Sequence, residues 1–271
     1  MQFKLKIYTI NNMYSKHSII SKTLLSTLLV ISAATQAQTI KLCHDDADSS
    51  PWLVKEGKGL NIVLMESAAA KIGAKLEIQK LPWKRCLGAV EDGSIHGAVA
   101  ASYKDERAKF AVYPTKDGKP DTDRRLHTEE YSLYRAKGGA VSWDGTKFSN
   151  LSGSIGAQRG YSIIDNLKKW DAKVDEGGAF PKDNMKKIIG GQVQGVALTT
   201  QEGDMLLNSP EFAGKIEKIA SPLIQKPYFT IFGKDYYSQN QKLADNLWAA
   251  MASVRESKDY KAKVTAAFKK K

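Results

Sequence analysis

Strand and helix patterns alternate twice along this chain, and that repeat leaves few folds open to it. Thr39–Cys43 has the make-up of a strand and runs into a polar, acidic loop from His44 to Trp52. From Leu60 to Ile72 apolar residues recur at helical spacing, and Gly73 follows as a C-cap. Lys75–Gln79 alternates as a strand, Pro82 opens a helix that runs to Val90, and Ile95–Ala101 is a strand of small apolar residues. This order calls for parallel pairing with helices on the sheet faces. Tyr103–Asp123 is loop-rich, and Tyr131–Tyr134 has strand character. The alternation then resumes with a strand at Ser154–Ala157, helices at Ser162–Lys169 and Asn184–Ile189, and a strand at Gly195–Leu198. A last strand, Pro227–Gly233, leads into a long helix, Gln239–Val254. Two α/β halves with a late return segment predict two lobes joined by two crossing strands, with the cleft between them as the natural small-molecule site.

Residues 1–37 precede this pattern and carry Lys4, Lys6, Lys16 and Lys22 with no acidic residue. An apolar run, Leu24–Ile31, and then small residues up to Ala37 complete the pattern of a secretory signal. The run is well short of the ~20 apolar residues a membrane-spanning helix needs. Cleavage is expected after Ala37, with Ala34 as the second choice and Met13 as a possible alternative start. Lys41 lies just before Cys43 and does not suit a lipoprotein cleavage box, so a soluble periplasmic protein is expected.

The full chain of 271 residues has 41 Lys and Arg against 29 Asp and Glu, a formal charge of +12. Without residues 1–37 it would be 234 residues long and carry +8. Hydrophobic residues make up 42%, which excludes global disorder. The remaining lysines are scattered singly or in pairs, with a cluster only at Lys269-Lys270-Lys271, and there is no basic helix with interleaved aromatics, so nucleic acid is not an expected partner. Cys43 and Cys86 would meet an oxidising compartment, where a disulfide between them is expected over two free thiols.

Six short motifs carry a resemblance: Gly59-Leu60-Asn61-Ile62-Val63, Leu81-Pro82-Trp83-Lys84-Arg85, Gly93-Ser94-Ile95-His96-Gly97, Glu106-Arg107, Gly156-Ala157-Gln158-Arg159-Gly160 and Gly191-Gln192-Val193-Gln194-Gly195. In this order they resemble the family 3 extracellular solute-binding proteins, periplasmic receptors of polar amino-acid ABC importers. The resemblance covers essentially the whole chain after residue 37. It implies an α/β, two-lobe periplasmic binding protein type II fold that closes on a ligand. Lobe I would hold 38–133 and the return segment 227–271, and lobe II 134–226. A monomer without cofactor, working with an inner-membrane ABC permease, is implied.

The departures bear on the ligand. His96 and Gln194 stand where the family usually has Asp, and Thr199 stands where a lobe II Asp holds the ligand ammonium. The glycine–threonine step that receives a carboxylate becomes Gly160-Tyr161-Ser162. Arg107 matches the carboxylate-pairing arginine, and Ser102 a ligand-contacting serine. Arg107 has a planar fork of donors suited to a carboxylate, and a surface pair with Asp105 or Glu106 is its competing use. Arg159 sits between a strand and a helix start, where backbone N–H groups also attract anions. A small polar ligand, carboxylate-bearing or amino-acid-like, is therefore expected.

Asp45 and Asp46 lie at the ligand edge of the first strand, and Asp46 aligns with the family position that reads a basic side chain. Trp52 and Trp83 offer ring faces to a ligand or to the core. Arg85 faces the ligand or the lobe interface, and Tyr131 lies on the first crossing strand. Tyr161, Ser162 and Thr199 complete the expected set. After residue 37 the histidines are His44, His96 and His127, without metal-ligand spacing. No G-x-S-x-G elbow occurs. An enzyme is not expected; Glu202 would be the general acid of a dehydratase-like cleft, and a stand-alone sensor is the other alternative.

Overall fold

The computed structural model describes residues 37–54, 56 and 58–269. The expected signal, residues 1–37, lies outside the described residues except for Ala37.

The first half builds β1 (Thr39–Asp45), α1 (Leu60–Lys71), β2 (Lys75–Leu81), α2 (Trp83–Glu91) and β3 (Gly97–Ser102). Short pieces follow: α3 (Asp105–Ala108), β4 (Ala111–Val112), and the ribbon of β5 (Thr115–Lys116) and β6 (Lys119–Pro120). The long strand β7 (His127–Ala136) leads to a second ribbon, β8 (Ser142–Trp143) and β9 (Phe148–Ser149). The second half comprises β10 (Ser154–Gln158), α4 (Ile163–Lys169), β11 (Lys173–Gly178), α5 (Pro181–Ile189), β12 (Gly195–Thr199) and α6 (Thr200–Leu207). The chain returns through β13 (Ile216–Lys218) and β14 (Ile224–Gly233) to α7 (Lys234–Arg255) and α8 (Lys258–Lys269).

One sheet joins both halves in the order β11-β10-β12-β7-β14-β3-β1-β2. Pairing is parallel within each wing, β2 and β3 on β1 and β11 and β12 on β10, as alternating strands and helices require. The middle is antiparallel and is made by β7 and β14, which change neighbours part-way along. Between His127 and Tyr131, β7 pairs with β14; from Tyr131 to Arg135 it pairs with β12. Likewise β14 leaves β7 at Tyr228 and from there pairs with β3. Tyr131 and Tyr228 thus mark the two exchange points, and their hydroxyls lie 2.7 Å apart.

Each wing is closed by its own packing. On one face of the first, Ile40 and Leu42 meet Leu64, Met65, Leu247 and Trp248 from α1 and α7. Its other face holds α2 through Val90, Ile95 and Phe229, and the Cys43–Cys86 disulfide ties β1 to α2 there. The second wing packs Leu133 and Ile155 on Ile163 and Leu167, and on its other face Tyr134 and Val196 on Met185, Ile188 and Phe212.

Several elements differ from the sequence-based expectation. The strand β11 was not anticipated because Lys173-Val174-Asp175-Glu176-Gly177-Gly178 offers one apolar residue and forms the sheet edge. Nor was α6, whose Gly203 argues against a helix. The glycine is needed because a Cβ there would lie 2.1 Å from Tyr134 Cζ. The strand β13 and the helix α8 are also additional. The last long helix starts at Lys234, with non-helical geometry at Asn240. The positions where the resemblance expects Asp tie loops. His96 stacks on Tyr236 with ring centroids 4.2 Å apart, and Gln194 Oε1 accepts from the backbone N–H groups of Ser152, at 2.7 Å, and Gly153. No described helix is long and apolar enough to cross a membrane.

Candidate functional site

A cleft lies where β7 and β14 exchange neighbours, at the C-terminal ends of the parallel strands, the usual ligand edge of an open α/β sheet. With the two halves in contact across it, the cavity has a volume of about 40 Å3. Side chains on one face of a strand recur every second residue, and β7 accordingly delivers His127, Glu129 and Tyr131 to the cleft. Ala100 of β3 also lines it, with φ +64 beside a register shift against β14. That bulge re-aims the strand at its cleft end.

One wall is a pile of rings. Trp52 stacks on His127 at 4.3 Å and 18°, and His127 on Tyr228 at 5.2 Å and 23°. The Trp52 loop is anchored by the first turn of α1, whose free N–H groups need acceptors. Leu60 N–H donates to Pro51 O at 2.9 Å and Asn61 N–H to Trp52 O at 3.0 Å. Gly59 permits this approach, since a Cβ there would lie 2.3 Å from Trp52 O. Burial pushes the His127 imidazole down to about 3, so the ring is neutral, and its Nε2 lies 3.5 Å from Glu129 Oε1.

Contacts cross directly between the two halves. Tyr161 OH donates to Asp45 Oδ2 at 2.5 Å, and the Ser102 and Ser162 hydroxyl oxygens lie 2.6 Å apart. Arg107 is 3% exposed; its Nη1 donates to Ser102 O at 2.7 Å and its Nη2 to Gly160 O at 2.8 Å. The guanidinium also lies over the Trp83 ring, 5.2 Å from its centroid. Lys226 donates to Ser162 O and Oγ, both at 3.0 Å, and burial together with nearby Arg107 lowers its ammonium to about 8.

Carboxyl groups dominate the remaining polar surface. Burial lifts Asp45 to about 6, against the opposing pull of its Tyr161 hydrogen bond. Glu129 is 2% exposed and Glu202 is 1% exposed. Burial raises Glu202 well above the usual carboxylate range, opposed by the bond from Thr199 Oγ1 at 2.7 Å and reinforced by the negative charges of Glu129, Asp45 and Asp48. Among the described residues no group of three or more His, Cys, Asp or Glu is placed to hold a metal ion.

Of the residues expected from the sequence, Trp52, Trp83, Ser102 and Arg107 line the cleft, as do Tyr131, Tyr161, Ser162 and Thr199. Asp46 and Arg159 do not. Asp45 lines the cleft in place of Asp46, because β1 runs on to Asp45. Arg159 is exposed and its Nε donates to Glu176 O at 3.3 Å. The competing use of Arg107, an ion pair with Asp105 or Glu106, is replaced by bonds to two carbonyls. Arg85 is exposed outside the cleft. Glu202 stands behind Thr199 rather than in the lining. Asn61, His127, Glu129 and Tyr228 were missed. For His127 and Glu129 the signal was the period of two running back from Tyr131.

No family model and no curated protein sequence matches the chain. Solved structures do. The GluR0 ligand-binding core from Nostoc punctiforme, in complex with L-glutamate, aligns over 84% of this chain and 99% of its own, with 16% identity and a TM-score of 0.65. They share a fold. The arginine-, lysine-, histidine-binding protein ArtJ from Geobacillus stearothermophilus aligns over 85% of this chain and 95% of its own, at 15% identity and TM-score 0.67. A histidine kinase sensor domain with similarity to periplasmic binding proteins aligns over 86% and 96%, at 13% identity and TM-score 0.69. The chain therefore has the two-lobe α/β fold of the periplasmic binding proteins.

Proposed function

We propose that this protein is a periplasmic solute receptor that captures a small polar, amino-acid-like ligand between two lobes and presents it to an inner-membrane ABC permease. Lobe I would comprise 38–133 and 227–271 and lobe II 134–226, with β7 and β14 as the crossing hinge. Residues 1–37 would be the export signal. The observation carrying this reading is the cleft at the exchange points, where both halves contribute side chains and touch across the opening. A ligand touching both lobes would add its contacts to these direct bonds in the closed state alone, and that difference in affinity would favour closure. The similarity to amino-acid ABC substrate-binding proteins supports the same role. The protein would act as a monomer, without cofactor and without turnover.

A second reading, a sensor for a membrane-bound signalling partner, is favoured by the similarity to the kinase sensor domain. A thermal-shift screen of residues 38–271 against amino acids, carboxylates, amines and short peptides tests solute capture. A specific ligand at 100 times its Kd stabilises the fold by about 2.7 kcal/mol. A flat response across all four classes would contradict capture.

A further inference from the structure

The groups that would receive a carboxylate are mostly engaged by protein carbonyls, with the buried Arg107 Nε left without a partner among the described residues. Arg107, the cation lining the cleft, donates through Nη1 and Nη2 to Ser102 O and Gly160 O, and its face lies on Trp83. The first-turn N–H groups of Leu60 and Asn61 hold Pro51 O and Trp52 O. Arg159 is outside the cleft.

The opposite charge is supplied generously. Asp45 and Glu129 line the cleft, while Glu202, behind Thr199, is kept protonated by its burial. His127 brings no compensating charge, since its buried ring is neutral. Lys226 is directed to Ser162. The rings of Trp52, Tyr131, Tyr161 and Tyr228 line the same cleft, and carboxylates beside aromatic rings are the combination that holds an organic cation by charge and quadrupole together. Independently, Asn61 is fully buried in the lining, and neither its Oδ1 nor its Nδ2 has a hydrogen-bond partner among the described residues. The same holds for Trp52 Nε1. Buried polar groups are ordinarily paired, so these point to a ligand that pairs them.

We propose that the recognised group of the solute is an ammonium or guanidinium, held by Asp45 and Glu129 among the ring faces with Asn61 as a neutral partner, and that the solute needs no α-carboxylate. This rests on the receptor reading and narrows it to amines. A carboxylate added to such a ligand would face Asp45 and Glu129, and Arg107, the cation lining the cleft among the described residues, already donates to two carbonyls.

Titration calorimetry of residues 38–271 with two matched pairs tests it: L-arginine against agmatine, and L-ornithine against putrescine, with glutarate as an anion. Members of each pair differ by the carboxylate alone. The expected result is that an amine binds at least as tightly as its amino acid, and that Asp45→Asn and Glu129→Gln, checked for folding by circular dichroism, each weaken it tenfold or more. An amino acid binding more tightly than its amine, or glutarate alone binding, overturns the inference while leaving the receptor reading intact. Absence of binding by both amines also overturns it, and the broader thermal-shift screen then decides separately whether the protein is a receptor.

Discussion

The Tyr161 hydroxyl reaches across the cleft to Asp45 Oδ2 at 2.5 Å, joining the loop after β10 to the end of β1. Tyr161 and Asp45 are 116 residues apart in sequence, and this bond ties together the two halves that a ligand would bridge. Asp45 is costly to ionise there, because burial lifts it from its ordinary 3.8 to about 6.

A carboxyl whose pKa rises on folding binds its proton more tightly in the folded chain. Asp45 therefore favours the folded state below about pH 4 and costs stability as pH rises from about 4 to about 6. Urea unfolding of the parent and of Asp45→Asn at a series of pH values measures this. The parent is expected to lose stability relative to the variant across that window, with no further change above pH 7. A pH-independent difference would show that Asp45 is not buried as described.

Tyr161→Phe removes the hydrogen bond that holds the Asp45 carboxyl down. The Asp45 titration midpoint, read from its side-chain carboxyl by NMR, is expected to move upward in the variant. A downward or absent shift would sink the cross-cleft bond.

Cysteines 43 and 86 close a loop with a sequence separation of 43. The chain-entropy estimate for such a loop is roughly 4 kcal/mol, at the top of the usual range. The double Cys→Ala variant is expected to lose about 2–4 kcal/mol in denaturant unfolding, and reductant should have no further effect on it. Equal stability of parent and variant under oxidising conditions would contradict a formed disulfide.

Gly203→Ala places a Cβ against the Tyr134 ring, whose hydroxyl donates to Asp204 Oδ1 at 2.8 Å. Ring and helix must separate, an overpacking cost of about 1–3 kcal/mol. Thermal unfolding checks it; an unchanged midpoint would mean that α6 does not pack on β7 as found.

What the sequence revealed depended on how much apolar pattern each element carries. The run from β1 to β3 is legible because Ile40, Leu42, Leu64 and Ile78 keep strand and helix periods distinct. Edge strand β11 hid because a single valine carries its apolar signal, and α6 because a glycine sits in its middle. At the site, large residues at motif positions were found, among them Trp52, Trp83 and Arg107. Asp45 was displaced by one residue because β1 outlasts its apolar stretch. Glu129 was hidden because β7 begins with the polar run His127-Thr128-Glu129-Glu130, although that run continues the period of Tyr131. The role of Arg107 could not be read locally, since Gly160, the acceptor that engages it, is 53 residues away.

Solute capture in this cleft is tested most directly by titration calorimetry with the strongest compound from the thermal-shift screen, using the parent chain from residue 38 and its Trp52→Ala variant. One site per chain is expected in the parent, with affinity at least tenfold weaker once the ring stacked on His127 is gone. An affinity unchanged by Trp52→Ala would place the ligand elsewhere and contradict the cleft as the binding site.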